Sequence, residues 1–336
     1  MKSLNFLGLI ALVAATVHGQ TYYASTPPDC SNAEGSATIT DSSGKTLGYS
    51  CYDSGTFVWF AAGGPARNTW GSSIRVSGPE TAAIEADYLF YDVDGNNVNV
   101  DTTQGSGTTI ASGNEVTVPL YANQPLLVNV LGATSNAPGY DTTQTGSVYA
   151  TFYCPDAATC SNVNPQLIYS ALPSIPWSLS VPIAWDSQTW TTWYAEGIDD
   201  GGAHRVSFVI YNQGSTATAF KVYVYDSTGK LAGTGATPTI AGFSSTTGEA
   251  GTYGALLSQV VSPLPSGMFK VVFDGGTAGE DSSVEVLQFT GTSATALNVW
   301  TDAAPGSSAA TDATRRWANA RRAGAPRTKR VVVAAP

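Results

Sequence analysis

The chain has 336 residues, enough for about two domains, with 43% hydrophobic but only 12% charged residues. Its formal net charge of -10 gives a surface that repels phosphate backbones and anionic lipid, which argues against nucleic acid or a membrane surface as partner. Few charges, 16 Tyr and 8 Trp together suit an extracellular all-β protein rather than a cytosolic one.

The N-terminus reads as a secretion signal over residues 1–19. Lys2 supplies the positive start and Leu4 to Ala15 the apolar stretch. Val17 and Gly19 are small enough to flank a cleavage site before Gln20. The apolar run is too short to cross a bilayer, and no other stretch is longer, so no integral membrane segment is expected.

Cys30, Cys51, Cys154 and Cys160 are the only cysteines. In an exported chain they imply two disulfides, with three possible connectivities. Spacing favours Cys30–Cys51 around the turn at Asp41-Ser42-Ser43-Gly44, and Cys154–Cys160 around a short loop. The alternative joins Cys30 or Cys51 to Cys154. A C-x5-C pair with no second close pair and no neighbouring His is a poor zinc site.

From residue 36 onward, short runs of aromatic and β-branched residues alternate with Gly, Asn and Pro turns. Ser36–Thr40 and Thr46–Tyr52 read as a hairpin, and Thr56–Ala62 as an aromatic strand. Ala82–Asp92 is a long strand. Four shorter ones follow up to Tyr153. The pattern restarts after Pro173-Ser174-Ile175-Pro176. Residues 20–158 are therefore expected to form a first disulfide-containing β-sandwich and residues 159–304 a second.

The two halves share a strand that closes in an aromatic–Asp–turn: Tyr88 to Gly95, and Val222 to Gly229. The same offset places Trp59 on Trp193, Ser73 on Ser207 and Ala83 on Ala217. With shifts of a few residues, the strand pattern also sets Leu126–Leu131 against Met268–Phe273, and Ser147–Tyr153 against Ser283–Phe289. This suggests an internal duplication. Residues 305–336 differ in kind: they hold seven basic residues and one acid, and they read as a disordered basic tail.

Trp190-Thr191-Thr192-Trp193, Val209-Ile210-Tyr211-Asn212, Val224-Tyr225-Asp226, Leu264-Pro265-Ser266-Gly267 and Val284 to Phe289 carry a resemblance. The chain resembles the tandem Ig-like β-sandwich modules of secreted, functionally unassigned proteins of environmental bacteria, acidobacteria among them. The first half resembles that module more loosely, keeping Trp59, Tyr91, Asp92 and Gly95 but lacking the Leu-Pro-Ser-Gly turn. The resemblance implies two tandem antiparallel Ig-like sandwiches outside the cell. It carries over no catalytic residue.

No Gly-x-Ser-x-Gly elbow and no His-Glu-x-x-His is present. His204 is the one histidine of the expected mature chain. A triad on it, or a carboxylate pair among Glu196, Asp199 and Asp200, is all that a hydrolase reading could use. Asp92, Asp94 and Asn96 open like an oxygen-ligand loop for calcium, but Asn97 and Thr103 break the EF-hand spacing, and a hairpin turn accounts for both copies. Trp177, Trp185 and Trp190 lie close together and are candidates for a sugar-stacking platform, whereas Trp193 suits a core position.

The sequence therefore reads as a secreted, non-enzymatic structural or adhesion protein with no cofactor. Its partners would be a polysaccharide or a surface protein. A carbohydrate-binding module is the alternative, and a secreted hydrolase the third reading.

Overall fold

The computed structural model describes residues 23–41, 43–64, 70–77, 82–104, 108–122, 125–133, 142–171, 178–185, 192–199, 205–242, 251–276, 282–289, 294–297, 299–301 and 328–331. The fold is all-β, in several antiparallel sheets. The signal expected at residues 1–19 lies outside the described residues.

The first unit contains β1 (Gly35–Asp41), β2 (Thr46–Gly63), β3 (Trp70–Ser77), β4 (Ile84–Asp92), β5 (Val100–Gln104), β6 (Thr108–Gly113), β7 (Glu115–Leu120), β8 (Pro125–Ala133) and β9 (Thr143–Cys154). It continues through helix α1 (Ala157–Ser161), β10 (Asn164–Ala171), β11 (Ser178–Pro182) and β12 (Ala184–Trp185). Its strands join in the order β6-β5-β8-β3-β2-β9-β4-β7. β2 meets β3 only at Gly63 opposite Trp70, and the sheet folds over there into two leaves. Alternation drives the burial: in β7, Val116, Val118 and Leu120 are buried while Glu115, Thr117 and Pro119 are exposed. Phe57, Phe60, Phe90 and Phe152 fill the core between the leaves.

The first sheet takes in chain beyond residue 158, where the sequence placed the end of the first domain. β10 pairs with β3 along its whole length, and β12 pairs with β2. The first sheet thus takes chain up to Trp185. Both favoured disulfides are present, Cys30–Cys51 and Cys154–Cys160. Cys51 and Cys154 face each other in the β2–β9 ladder, so the two bridges sit side by side and fix the N-terminal segment and α1 to neighbouring strands.

The second unit contains β13 (Thr192–Asp199), β14 (Arg205–Asn212), β15 (Lys221–Asp226), β16 (Leu231–Ala236), β17 (Thr252–Leu256), helix α2 (Leu257–Val260), β18 (Met268–Asp274), β19 (Ser282–Phe289), β20 (Ala294–Leu297) and β21 (Val299–Thr301). A five-stranded sheet, β16-β15-β18-β13-β21, and a four-stranded one, β17-β14-β19-β20, enclose a core of Trp193, Phe208, Phe220 and Phe273. Phe208 and Phe273 stack at 4.8 Å between ring centroids.

The halves do not match strand for strand as the repeated pattern suggested. In the first unit β8 pairs with β3 and β9 lies between β2 and β4. In the second, β18 lies between β13 and β15 while β19 pairs with β14. The last two strands have exchanged sheets, so Met268–Phe273 takes the place expected from Ser147–Tyr153. Inside the segment expected to be a disordered tail, β22 (Thr328–Val331) runs parallel to β1. Residues 305–327 and 332–336 lie outside the described residues.

Candidate binding cleft

A bulge in β2 sets up the cleft. The β2–β9 register slips between Phe57 and Phe60, so these two rings point into the first core while Val58 and Trp59 turn to the opposite face. There they meet the four-stranded sheet. Val206, Phe208 and Ile210 of β14 face their own core; the alternating Val209 and Tyr211 pack with Val58. In β19, Val286 faces inward, whereas Leu287 and Phe289 join the core of the first unit. This sheet is thus buried on both faces, once in its own unit and once against the other.

The seam leaves a cleft of about 280 Å³ whose walls include Trp59, Trp70, Tyr169, Val209, Leu287 and Phe289. Thr143, Thr145 and Ser207 add hydroxyls, and no charged side chain lines it among the described residues. The Tyr169 hydroxyl donates to the Trp59 carbonyl oxygen at 2.6 Å. Tyr169 Oη also lies 3.4 Å from Glu285 Oε2. Glu285 shares the face of β19 that carries Leu287 and Phe289. Parts of the residue remain accessible, but its Oε1 is shielded from solvent and has no hydrogen-bond partner among the described residues. Burial raises the Glu285 carboxyl to about 8, against a smaller opposing effect of Tyr169. Burial and the neighbouring Glu285 also push the Tyr169 hydroxyl well up. Both groups are therefore biased towards their protonated, neutral forms.

The open surface of the second unit is the outer face of the five-stranded sheet. Tyr194, Val272 and Tyr223 stand in register across β13, β18 and β15, on the side away from Trp193, Val271 and Val222. Lys270 lies 3.9 Å over the Tyr194 ring and pairs with Glu196 at 3.2 Å. Met268 is 60% exposed beside them.

The residues singled out from the sequence fare differently. Trp177, Trp190, Asp200 and His204 lie outside the described residues. Trp185 is in β12, with its backbone opposite Gly55. Trp193 is in the core, as its type and pattern suggested. Asp92 Oδ1 accepts the backbone N–H groups of Asp94 and Asn96 at 2.9 and 2.8 Å, which is the work of a hairpin turn. Asp226 and Asp41 repeat it: Oδ1 of each accepts the N–H two residues on, at 2.9 Å in both. Among the described residues no group of three or more His, Cys, Asp or Glu could hold a metal ion.

Sequence reasoning missed Trp59, Trp70, Tyr169 and Glu285 as neighbours. The available signal was β19 itself. Val284 and Val286 make one face apolar, and Leu287 with Phe289 makes the other apolar too, so Glu285 had no solvent face to occupy. No family model, curated protein or solved structure matches the chain.

Proposed function

We propose that this is a secreted, non-enzymatic protein of the extracellular space or cell surface, structural or adhesive in role, built from Ig-like β-sandwich modules. The observation that carries the reading is the four-stranded sheet buried on both faces. It couples two β units into one stiff body and leaves the outer face of the five-stranded sheet open. A stiff body with an open face suits presentation of a surface to a partner. Paired disulfides and the leader at residues 1–19 support export.

A carbohydrate-binding role is the second reading. It is favoured by the cross-strand row of Tyr194 and Tyr223 with the charged edge of Lys270 and Glu196, since sugar rings stack on aromatic faces and bond to polar rims. Both readings are tested by retention of the chain from Gln20 on insoluble polysaccharides and on intact cells. Retention on cells alone supports adhesion through a protein partner. Retention on a polysaccharide, lost in Tyr194→Ala/Tyr223→Ala, makes the sugar reading the better one. Retention on neither overturns both.

A further inference from the structure

We propose that the outer face of the five-stranded sheet is a track for one extended, uncharged, β-1,4-linked glycan chain, which crosses the strands and stacks alternate sugars on Tyr194 and Tyr223. This inference deepens the carbohydrate reading of that face and rests on it.

Alternation builds the face. Along β13, β15 and β18 every second side chain is buried in the core, and those between remain open to solvent. The open ones fall into rows across the strands. Tyr194, Val272 and Tyr223 form an apolar middle row. On one side of it Thr192, Asp274 and Lys221 share a register. On the other, Tyr225 stands opposite Lys270, which pairs with Glu196 at 3.2 Å. Each polar row lies two residues along the strand from the middle one, roughly 7 Å away. An apolar stripe with a polar row on either side suits a sugar ring, whose faces are C–H and whose rim is hydroxyl.

Spacing selects the linkage. Tyr194 and Tyr223 stand in register with β18 between them, so they are two strand spacings, about 9.5 Å, apart. In an extended β-1,4 chain successive sugars are turned over, and the same ring face recurs at every second sugar, close to that distance. An α-1,4 chain coils and loses the match. Charge selects a neutral chain. Lys270 pairs with Glu196, and Lys221 stands opposite Asp274, so each polar row balances its own cation and a polyanion finds no surplus of positive charge. Beside the stripe, Glu196, Tyr225, Asp226, Ser227, Met268 and Lys270 help to line a groove of about 650 Å³, where carboxylates and an ammonium meet the sugar hydroxyls. Lys270 lies 3.9 Å over one face of the Tyr194 ring, so the sugar takes the opposite face.

The test is a length series. β-1,4-linked oligosaccharides of two to six sugars are titrated into the chain from Gln20 by calorimetry, one series of glucose and one of N-acetylglucosamine to separate the two neutral sources. Three sugars are the shortest chain that reaches both rings. In at least one series affinity should therefore step up roughly tenfold between two and three sugars, the weight of one more stacked ring. Tyr223→Ala should erase the step and leave disaccharide binding in place. An α-1,4-linked glucose trimer should show no step. No saturable binding in either series, a smooth rise without the step, or an equal step for the α-1,4 chain overturns the track. Should that happen while an insoluble polysaccharide still retains the protein, the carbohydrate reading stands without the track; with no retention either, both fall. The wild-type series decides the matter should the variant fail to fold.

Discussion

Gly254 of β17 lies against the indole of Trp59. A Cβ at Gly254 would stand 3.2 Å from both Cη2 and Cζ3 of that ring, tighter than ordinary van der Waals contact. The missing side chain lets a strand of the second unit close onto a tryptophan of the first. Gly254→Val is expected to overpack this contact at a cost of about 1–3 kcal/mol. The measurement is the urea midpoint. Trp59→Leu should relieve the crowding, so the double variant should be destabilised by less than the sum of the single changes.

Glu285 makes stability fall as pH rises. Its carboxyl ionises near 4.5 in the unfolded chain but only near 8 when folded. The unfolded state therefore releases its proton first. The stabilising contribution is complete below about pH 4.5 and is lost progressively up to about pH 8. Glu285→Gln cannot ionise. Urea midpoints at pH 4.5, 6 and 8 should show the Gln variant gaining on the wild type at each step, and a constant gap would contradict this. Taking the difference between the two proteins cancels Asp53, whose carboxyl burial also raises.

The two disulfides close loops of different length, with sequence separations of 21 and 6. Chain entropy then gives the longer one about 3 kcal/mol and the shorter one about 2 kcal/mol. Cys30→Ser/Cys51→Ser should accordingly lower the urea midpoint more than Cys154→Ser/Cys160→Ser does. The reverse order would mean that the short bridge holds native contacts of α1 rather than only restricting the unfolded chain.

The Asp226 turn separates a side-chain effect from a backbone one. Asp226 Oδ1 accepts from the Thr228 hydroxyl at 2.6 Å and from the N–H groups of Thr228 and Lys230 at 2.9 and 3.1 Å. The Thr228 hydroxyl, first among these contacts, holds the carboxyl below its usual range. Asp226→Ala should lower the urea midpoint, and Asp226→Asn should lower it less. Gly229 has φ +82° with open space around it, so Gly229→Ala should cost about 1 kcal/mol through conformation alone. Equal denaturation midpoints for Asp226→Ala and wild type would contradict the turn assignment.

These turns were the most legible part of the sequence, because local chemistry specifies them: Asp, a polar or small residue, then Gly in the left-handed region. The disulfide pairing was legible from spacing for the same reason. The exchange of the last two strands between sheets was not, since Met268–Phe273 and Ser283–Phe289 are both alternating apolar runs that fit either sheet. Nor was Trp59, whose direction depends on a bulge against β9 rather than on its own neighbours. The apolar residues on both faces of β19 hinted that Glu285 is buried, but its surroundings were not legible. Its neighbour Tyr169, bonded in turn to Trp59, comes from the first unit, more than a hundred residues earlier. Long-range pairing decided all three, and one chain's local pattern carries little of that information.

The central claim is that the doubly buried four-stranded sheet makes the two units one cooperative body. Equilibrium urea unfolding, followed by tryptophan emission and far-ultraviolet circular dichroism, tests it most directly. A single transition that coincides in both signals, and that Phe57→Ala and Phe208→Ala each shift as a whole, is the expected result. Two separate transitions, one moved only by Phe57→Ala and the other only by Phe208→Ala, would contradict it and leave the units as independent domains.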